Sequence, residues 1–390
     1  MIDSKLTKEF IGRLVVSYKI GETIYAYDEI THGLYKFSIY ERKVDMVISP
    51  QNIYCDSSNK IMGISKSKNE LILIPLFLNT KWIFYDLNEK KIRYSFPIKS
   101  KICISGTITI GRNLFLIPSD IYNPIIVFSL DDMKVIKTYE KWNGIDRKED
   151  DIYIWGASAY DDFAVFPIVN SKVIYCANLS NVNMIKLDIP DPIFSLSVYK
   201  NKIWVLPVSG KSIYALDFKG KIIEKVELSQ VGPKISANRF NRIVVLDEAV
   251  YLLPNYGGNI LAYQCHKKQL IQINVGRICT HGRLFMEEIT PYWDFIIEDK
   301  ILHILPRDCR YKKINVLSLE NEEVCLYYGK NINYAKYWGM LGREQKKYIY
   351  DKRKSDLNDF LQYTIYSYES CLLKKDELIG RKVWEKVKKE

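Results

Sequence analysis

The chain has 390 residues, a formal net charge of +11 and an apolar content of 47%. Its longest uncharged apolar run, residues 71–78, is far shorter than the roughly 20 residues that a membrane-spanning helix needs. The composition therefore excludes a helical membrane span, and because the charged N-terminus has no apolar signal segment, we expect a soluble, cytoplasmic protein.

Residues 10–49 contain the first group of strand-length apolar runs. Gly21 and the Thr31–Gly33 stretch interrupt these runs, as turn residues do. The four runs are Phe10–Ile20, Thr23–Tyr27, Leu34–Ile39 and Val44–Ile48. They predict a unit of four antiparallel strands.

The same unit recurs along the chain, and a proline marks its phase. Six apolar runs end in Pro75, Pro118, Pro167, Pro207, Pro254 and Pro306, at spacings of 43, 49, 40, 47 and 52 residues. A proline cannot donate to a strand ladder, so it belongs at a strand end or a bulge. We predict that the second strand of each unit stops at its proline.

The stretch Asn201–Leu228 shows this pattern most clearly. Its runs Ile203–Leu206, Ile213–Leu216 and Ile222–Leu228 are rich in β-branched and aromatic residues and are separated by turn residues. They predict a meander of three antiparallel strands. One further run precedes each proline strand, such as Asp151–Ala157 before Pro167, and the last unit continues with Ile314–Leu319 and Val324–Tyr328. Each unit thus has four strands at a period in the forties, which is typical of a propeller blade.

This repeat resembles the blades of bacterial β-propellers of the Kelch-like or quinoprotein-like kind. The resemblance covers about residues 10–329 and implies an all-β fold, a seven-bladed β-propeller with a short α-helical C-terminal extension. The glycine doublets of true Kelch repeats and the Trp-Asp signature do not recur, so the likeness is to a repeat architecture and not to one activity. The predicted blades span about residues 10–49, 60–98, 101–142, 151–189, 193–228, 235–275 and 284–329.

Residues 330–390 change character. They hold 15 Lys+Arg and 9 Asp+Glu, a net charge of +6, whereas the preceding 329 residues carry only +5. Ser355–Ser370 and Lys374–Glu390 place apolar residues at helical spacing, which predicts a basic extension of two amphipathic helices. We expect these helices to dock on the ring or on a partner. Nucleic-acid binding through Lys374–Lys375 and Lys386–Lys389 is supported by charge alone.

The eight cysteines show no paired spacing. Several of them lie inside apolar runs, which is typical of buried free thiols. A reducing compartment fits this pattern best. The residues are Cys55, Cys103, Cys176, Cys265, Cys279, Cys309, Cys325 and Cys371.

The resemblance implies a binding site at one rim of the central channel, where loops join the second and third strands of each blade. In this chain those loops carry amide and cationic side chains, which suit a carboxylate, a phosphate or a sugar. Asn and Lys are also ordinary turn residues, so a purely structural role remains open. The candidate binding residues are Arg307, Asp308 and Arg310, which turn chemistry explains least, followed by Asp120, Tyr122, Asn123, Lys172, Lys211, Asn255, Tyr256 and Asn259.

Motifs for catalysis and cofactors are sparse. The chain has four histidines, and it contains neither a Gly-x-Ser-x-Gly motif nor a phosphate-cradling glycine-rich loop. Cys265–His266 and Cys279–His281 offer zinc-type ligands, but they lack a Cys-x-x-Cys spacing, and adjacent strand residues point to opposite faces. We therefore predict no metal site and no cofactor.

These features favour a non-catalytic binding or scaffold protein that holds a protein partner, or an anionic or glycan ligand, on the propeller rim. The alternative is a lyase or hydrolase at the channel mouth that acts on an anionic or glycan substrate. Its acid–base groups would come from Asp120, Asp308, Arg307 and Arg310. Carboxylate and guanidinium groups around a deep axial pocket would favour the enzyme, whereas a wide aromatic rim would favour the scaffold.

Overall fold

The computed structural model describes most of the predicted repeat region and none of the predicted C-terminal extension. The described residues are 14–28, 32–38, 41, 43–53, 60–140, 153–228, 240–246, 248–254, 260–273, 292–298, 300–306, 310–315, 321–325 and 327–328. Within these ranges, no helix is long and apolar enough to cross a membrane.

The first four sheets cover the N-terminal half of the chain. Sheet 1 contains β1 (Leu14–Ile20), β2 (Thr23–Asp28), β3 (Leu34–Ser38) and β4 (Lys43–Ile48), and α1 (Pro50–Ile53) follows it. Sheet 2 contains β5 (Ile61–Ser67), β6 (Glu70–Pro75), β7 (Trp82–Asp86) and β8 (Ile92–Ser95). Sheet 3 contains β9 (Ile104–Ile110), β10 (Asn113–Pro118), β11 (Ile125–Ser129) and β12 (Lys134–Tyr139). Sheet 4 contains β13 (Tyr153–Ile154), β14 (Ser158–Tyr160), β15 (Phe163–Val169), β16 (Val173–Ala177) and β17 (Val182–Lys186).

Three further sheets bring the number formed by the described residues to seven. Sheet 5 contains β18 (Ile193–Tyr199), β19 (Lys202–Pro207), β20 (Ser212–Leu216) and β21 (Ile222–Glu227). Sheet 6 contains β22 (Phe240–Leu246), β23 (Ala249–Pro254), β24 (Ile260–Gln264) and β25 (Gln269–Ile273). Sheet 7 contains β26 (Tyr292–Glu298), β27 (Ile301–Pro306), β28 (Arg310–Asn315) and β29 (Asn321–Cys325). The prediction of an all-β repeat is thus confirmed, as are the three strands predicted within Asn201–Leu228.

Both faces of each sheet are covered by its neighbours. On β6, Ile72 and Leu73 point to opposite faces because side chains alternate along a strand, yet both are fully buried. Ile72 packs with residues of sheet 3, and Leu73 packs with residues of sheet 1. The same apolar packing joins each later pair of sheets.

The circle closes between the last sheet and the first. Leu305 of sheet 7 packs with Leu14, Ile24 and Phe37 of sheet 1. The first strands of sheets 1 to 6 lie in contact in order around the ring, and β26 contacts β1. Between sheets 6 and 7 the Arg242 guanidinium of β22 lies over the Phe295 ring of β26 at 4.9 Å. The first strand of each sheet is therefore the inner strand of a closed ring.

The prolines have one register in five sheets. Pro75 pairs with Ile61, and a β-bulge between Ile61 and Gly63 adjoins the pair. Sheets 3, 5, 6 and 7 repeat this arrangement, with a proline as the last residue of the second strand opposite the first residue of the inner strand. The predicted strand ends at Pro75, Pro118, Pro207, Pro254 and Pro306 are confirmed.

The prediction at Pro167 was wrong, because β15 continues to Val169. The inner strand of sheet 4 is split instead into β13 and β14, whereas the sequence predicted one run over Asp151–Ala157. β13 pairs with residues 168–169 and β14 with residues 163–165, so Pro167 lies opposite the break. A residue without an N–H is tolerated there because the inner partner strand is interrupted.

Sheet 1 has an aspartate in the register of the prolines. Asp28 pairs with Leu14 next to a bulge, as Pro75 pairs with Ile61. The Asp28 N–H donates to the carbonyl oxygen of Gly33 at 2.9 Å, a hydrogen bond that proline cannot make. Asp28 is fully buried, and the buried Tyr27 hydroxyl lies 2.6 Å from Nδ1 of His32.

A fifth strand covers the outer edge of sheet 1. The sequence assigned Tyr327 and Tyr328 to the last strand of the seventh blade, but they form β30 (Tyr327–Tyr328), which pairs in parallel with β4. The predicted third strand of that blade, residues 314–319, was also misplaced, because β28 begins at Arg310. Backbone hydrogen bonds between β30 and β4 therefore join the end of the repeat region to sheet 1, in addition to the side-chain packing of Leu305.

Candidate functional site

In sheets 2, 3 and 4 the loop after the second strand is bonded to the next sheet. In sheet 2 the Leu78 N–H donates to the carbonyl oxygen of Ile102 at 2.9 Å, and the Ile104 N–H donates to the carbonyl oxygen of Leu76 at 2.9 Å. Phe77 and Cys103 form an antiparallel bridge between these two hydrogen bonds. The loop at 76–81 is therefore fixed against the start of the inner strand of sheet 3.

The same connection recurs around the ring. The Ile154 N–H of sheet 4 donates to the carbonyl oxygen of Ser119 in sheet 3 at 3.1 Å. Asn170 and Ser171 of sheet 4 exchange hydrogen bonds of 3.1 and 2.9 Å with Ile193 of sheet 5. These bonds place the loops of sheets 2 to 4 at one end of the ring and hold their backbones rigidly. Their exposed side chains can then be presented to a partner from a fixed platform.

The predicted candidates in sheet 3 form a closed turn. The Asp120 carboxylate accepts hydrogen bonds from the N–H of Tyr122 at 2.9 Å and from the N–H and side-chain amide of Asn123 at 3.1 and 2.8 Å. These contacts use Asp120 and Asn123 to hold the turn. The turn leaves the Tyr122 side chain 61% exposed, so this side chain can contact a partner.

Lys172 and Lys211 occupy equivalent places in sheets 4 and 5. Each lies just before the third strand, and its carbonyl oxygen accepts an N–H from the residue after the fourth strand, Leu187 or Leu228, at 2.8 Å. Both side chains are exposed. No hydrogen bond or ion pair within the described residues joins Asp120, Lys172 and Lys211, so the structure does not bring them together as one cluster.

The remaining predicted site residues belong to sheets 6 and 7. Arg307, Asp308, Asn255, Tyr256 and Asn259 lie outside the described residues. Arg310, predicted in a loop, is instead the first residue of β28 and pairs with Cys325.

Sequence reasoning missed a second set of exposed side chains at the same end of the ring. Phe96, Lys99 and Lys101 are exposed and lie on the segment that leads from β8 to the inner strand of sheet 3. The resemblance directed attention only to loops between second and third strands. The signal available in the sequence was an aromatic residue followed by Lys99–Ser100–Lys101 without an acidic residue.

These side chains adjoin the predicted loops. The antiparallel pairing of Phe77 with Cys103 and of Leu78 with Ile102 extends to place Asn79 opposite Lys101. On β8, Tyr94 carries the Lys81 ammonium over its ring at 4.1 Å. We name the surface of Lys81, Tyr94, Phe96, Lys99, Lys101 and Tyr122 the aromatic–lysine patch.

Hydroxyl groups on the inner strands form hydrogen bonds between neighbouring sheets. Ser195 and Ser197 of sheet 5 accept the N–H groups of Ile243 and Val245 of sheet 6, at 3.4 and 3.1 Å. Ser158 accepts the N–H of Val198 at 3.3 Å, and the hydroxyls of Ser65 and Thr109 share a bond of 3.1 Å. The hydroxyls of Ser158, Ser195 and Ser197 satisfy inner-strand N–H groups that no further strand covers, and the Ser65–Thr109 bond joins two inner strands, so the role of these hydroxyls is structural.

The possible zinc ligands do not form a site in the part of the chain that the structure describes. Burial, and after it the charge of Glu224, raises the pKa of the Cys265 thiol to about 11, whereas zinc binds a thiolate. Residues placed by the structure contain no group of three or more His, Cys, Asp or Glu side chains that could hold a metal. Cys279 and His281 lie outside the described residues.

No protein-family model and no curated protein sequence matches the chain. Among solved structures it is similar to U3-55K, with a TM-score of 0.53, 9% identity and coverage of 75% of this chain and 88% of that one. It is similar to PorZ of Porphyromonas gingivalis, with a TM-score of 0.53 and 11% identity over 84% of this chain but only 39% of PorZ. Kluyveromyces lactis Hsv2 gives a TM-score of 0.50 at 8% identity, over 81% of this chain and 97% of that one.

These similar structures are β-propellers, which confirms that the chain has a β-propeller fold. At such low identities the likeness shows the fold alone. It assigns the blades to no particular repeat class and the protein to no particular activity, because one fold hosts many functions.

Proposed function

We propose that this β-propeller has seven blades and acts as a non-catalytic scaffold that holds a protein partner on the rim carrying the loops after its proline strands. One observation carries the proposal. The rim backbone is bonded from sheet to sheet, as in the Leu78–Ile102 and Asn170–Ile193 contacts, while aromatic and cationic side chains point outward from it.

A rigid rim lowers the entropic cost of binding because the loops need not order when the partner arrives. Aromatic side chains such as Tyr122 bury much apolar area at low conformational cost, and they are enriched at protein interfaces. The exposed cations Lys172 and Lys211 suit an acidic surface, and they would also suit an anionic or glycan ligand. Glycan recognition alone would not need so wide a surface.

Participation in a larger assembly is consistent with one similar structure. PorZ is described as an essential bacterial surface component of a type-IX secretion system. For the present chain we propose a cytoplasmic scaffold. Its basic C-terminal residues 330–390 dock on the ring or add to the contact with the partner.

Photo-crosslinking in cells that express the protein tests this proposal. A photoreactive phenylalanine analogue replaces Tyr122, Lys172 or Lys211 in separate variants. Matched controls carry it at Lys90 and Lys219, exposed turn residues between the third and fourth strands of sheets 2 and 5. We expect the rim variants to crosslink one common protein that the control variants do not capture.

Equal crosslinking from rim and control positions would contradict a rim-based scaffold, as would no crosslinking from any rim position. Turnover on a panel of glycosides and esters would favour the lyase or hydrolase alternative instead. An Asp120→Asn variant then reports whether that carboxylate takes part in the turnover.

A further inference from the structure

The two most exposed large apolar side chains of the described residues lie on neighbouring sheets, one after β8 of sheet 2 and one between β10 and β11 of sheet 3. Phe96 and Tyr122 are each 61% exposed, and no other large apolar side chain that the structure describes exceeds 50%. A phenylalanine ring that is open to water costs free energy that burial against a partner would recover. The pair therefore marks the strongest apolar anchor candidates on the described surface.

Backbone contacts join the segments that carry these rings. Residues 76–78 pair with residues 102–104, and the Ser119 N–H and hydroxyl both bond to the carbonyl oxygen of Cys103, at 2.9 and 3.1 Å. Residues 102–104, at the end of the segment that begins with Phe96, therefore lie between the loop that holds Lys81 and the turn that holds Tyr122. These backbone contacts fix the segments of the aromatic–lysine patch to one another at one end of sheets 2 and 3.

Within the described residues the patch lysines form no salt bridge, as is also true of Lys172 and Lys211, whereas four other lysines do. Lys91, Lys200, Lys225 and Lys268 each pair with a glutamate at 2.5–3.0 Å. Lys99 and Lys101 are exposed, and the partly buried Lys81 holds its ammonium over the Tyr94 ring. Two exposed cations near Phe96 in the chain are thus available to a partner.

We propose that the aromatic–lysine patch binds a protein segment in which aspartate or glutamate alternates with apolar side chains. This inference depends on the proposed scaffold function and gives it a location and a partner chemistry. Phe96 and Tyr122 take up the apolar side chains, and the surrounding lysines attract the carboxylates and speed the encounter.

Two other occupants fit the patch less well. The chain's own residues 330–390 carry a net charge of +6, so the patch lysines repel them. A single-stranded nucleic acid needs a continuous basic groove along its backbone, whereas Pro97 and the buried Ile98 separate Phe96 from the patch lysines Lys99 and Lys101.

Fluorescence anisotropy with defined probes tests the partner chemistry. The full-length protein is titrated into four labelled 12-residue probes: alternating Glu with Leu and Trp, the same peptide with Ser at the apolar positions, the same peptide with Lys for Glu, and oligo-dT. We expect binding of the Glu–Leu–Trp peptide, with an affinity that falls as salt rises, and weaker binding of the other three.

Paired variants test the location. Phe96→Ser with Tyr122→Ser, and separately Lys99→Glu with Lys101→Glu, are each expected to weaken the Glu–Leu–Trp peptide about tenfold or more. Lys172→Glu with Lys211→Glu is made as a separate variant of the neighbouring rim. Ile222→Ser with Ile223→Ser is the apolar control on the outer strand of sheet 5, and Lys90→Glu with Lys219→Glu is the cationic control away from the rim. Both controls are expected to leave the affinity unchanged. Circular dichroism and the unfolding midpoint establish that every variant is folded.

The remaining outcomes separate this inference from the scaffold function. Loss of binding in the Lys172/Lys211 variant, without loss in the patch variants, overturns the location and leaves a rim scaffold standing. Preferential binding of oligo-dT or of the Lys peptide overturns the partner chemistry. Failure of all probes, combined with a common crosslinked protein at Tyr122, overturns the acidic–apolar partner only. Failure of the probes and of every rim crosslink removes both proposals.

Discussion

The interface between sheets 2 and 3 differs from the seam between sheets 7 and 1. The first is an apolar interface in which the Trp82 ring packs with the Phe128 ring at a centroid distance of 5.2 Å. At the seam, Leu305 packs against sheet 1, the buried His303 lies on the same face of β27, and β30 adds a strand to the outer edge of sheet 1.

This difference shows what repetition provides and what closure requires. Successive blades need only complementary apolar faces, so similar aliphatic runs serve at every internal interface. The first blade must also receive the end of the ring. It departs from the repeat by placing Asp28 where five other sheets have a proline, and by burying a Tyr27–His32 hydrogen bond beside it.

The largest effect is expected inside the apolar interface between sheets 2 and 3. Trp82→Ala removes a fully buried indole and its hydrogen bond from Nε1 to the carbonyl oxygen of Leu78 at 3.2 Å. The free energy of unfolding should fall by about 3–5 kcal/mol. Urea unfolding followed by circular dichroism measures this change. Phe96→Ala is the exposed aromatic control and should alter stability by no more than about 0.5 kcal/mol.

A proline substitution tests whether the first sheet has become specialised. Asp28→Pro restores the residue found in the equivalent register of sheet 2 but removes the N–H that bonds to Gly33. We expect a loss of about 1–3 kcal/mol in unfolding free energy. Pro207→Ala in sheet 5, at the same register, is expected to cost less than 1 kcal/mol. An equal or stabilising effect of Asp28→Pro would remove the distinction between sheet 1 and the others.

The smallest effect is expected for the contacts of Glu224, which join sheet 5 to sheet 6. Burial alone would raise the pKa of Glu224, but hydrogen bonds from Lys268 and Tyr263 outweigh it and hold that pKa below its usual value. The contact therefore contributes stability above the carboxyl pKa of the unfolded chain, and this contribution is lost as pH falls through the folded pKa.

Glu224→Gln should lower the unfolding free energy by about 1 kcal/mol at neutral pH. The difference from the parent protein should shrink at acidic pH, when the parent carboxyl is protonated as well. Urea unfolding at several pH values measures both effects. Glu89→Gln is the matched control, because its pair with Lys91 is largely exposed, and it should change nothing measurable. A difference that grows on acidification would contradict the assignment.

Much of the fold could be predicted from local signals. The proline phase and the apolar runs gave the strands near Pro75, Pro118 and Pro207, because these strands are buried on both faces and their sequences are nearly continuous apolar runs. The split inner strand of sheet 4 could not be predicted, because the break at residues 155–157 contains Trp155 and Ala157, which are compatible with a strand.

The sequence pattern also could not predict which strands pair when they lie far apart in the chain. Tyr327 and Tyr328 have the composition of any strand, and only the closed ring shows that they pair with β4. At the candidate site, Tyr122 was identified because its loop follows a proline strand. Phe96 was missed because its exposure depends on where the segment after β8 passes over the surface, which local sequence does not determine.

The parallel pairing of β30 with β4 has a consequence for how the protein is made. The paired residues, Tyr327 with Lys43, are separated by about 280 residues of chain. At a synthesis rate of roughly 5–20 residues per second, the first sheet waits on the order of 15–60 s for the strand that covers its edge. During that interval the nascent chain presents an unpaired strand to the cell. The ribosome-bound stage is therefore when this protein is most exposed to aggregation and most dependent on chaperones.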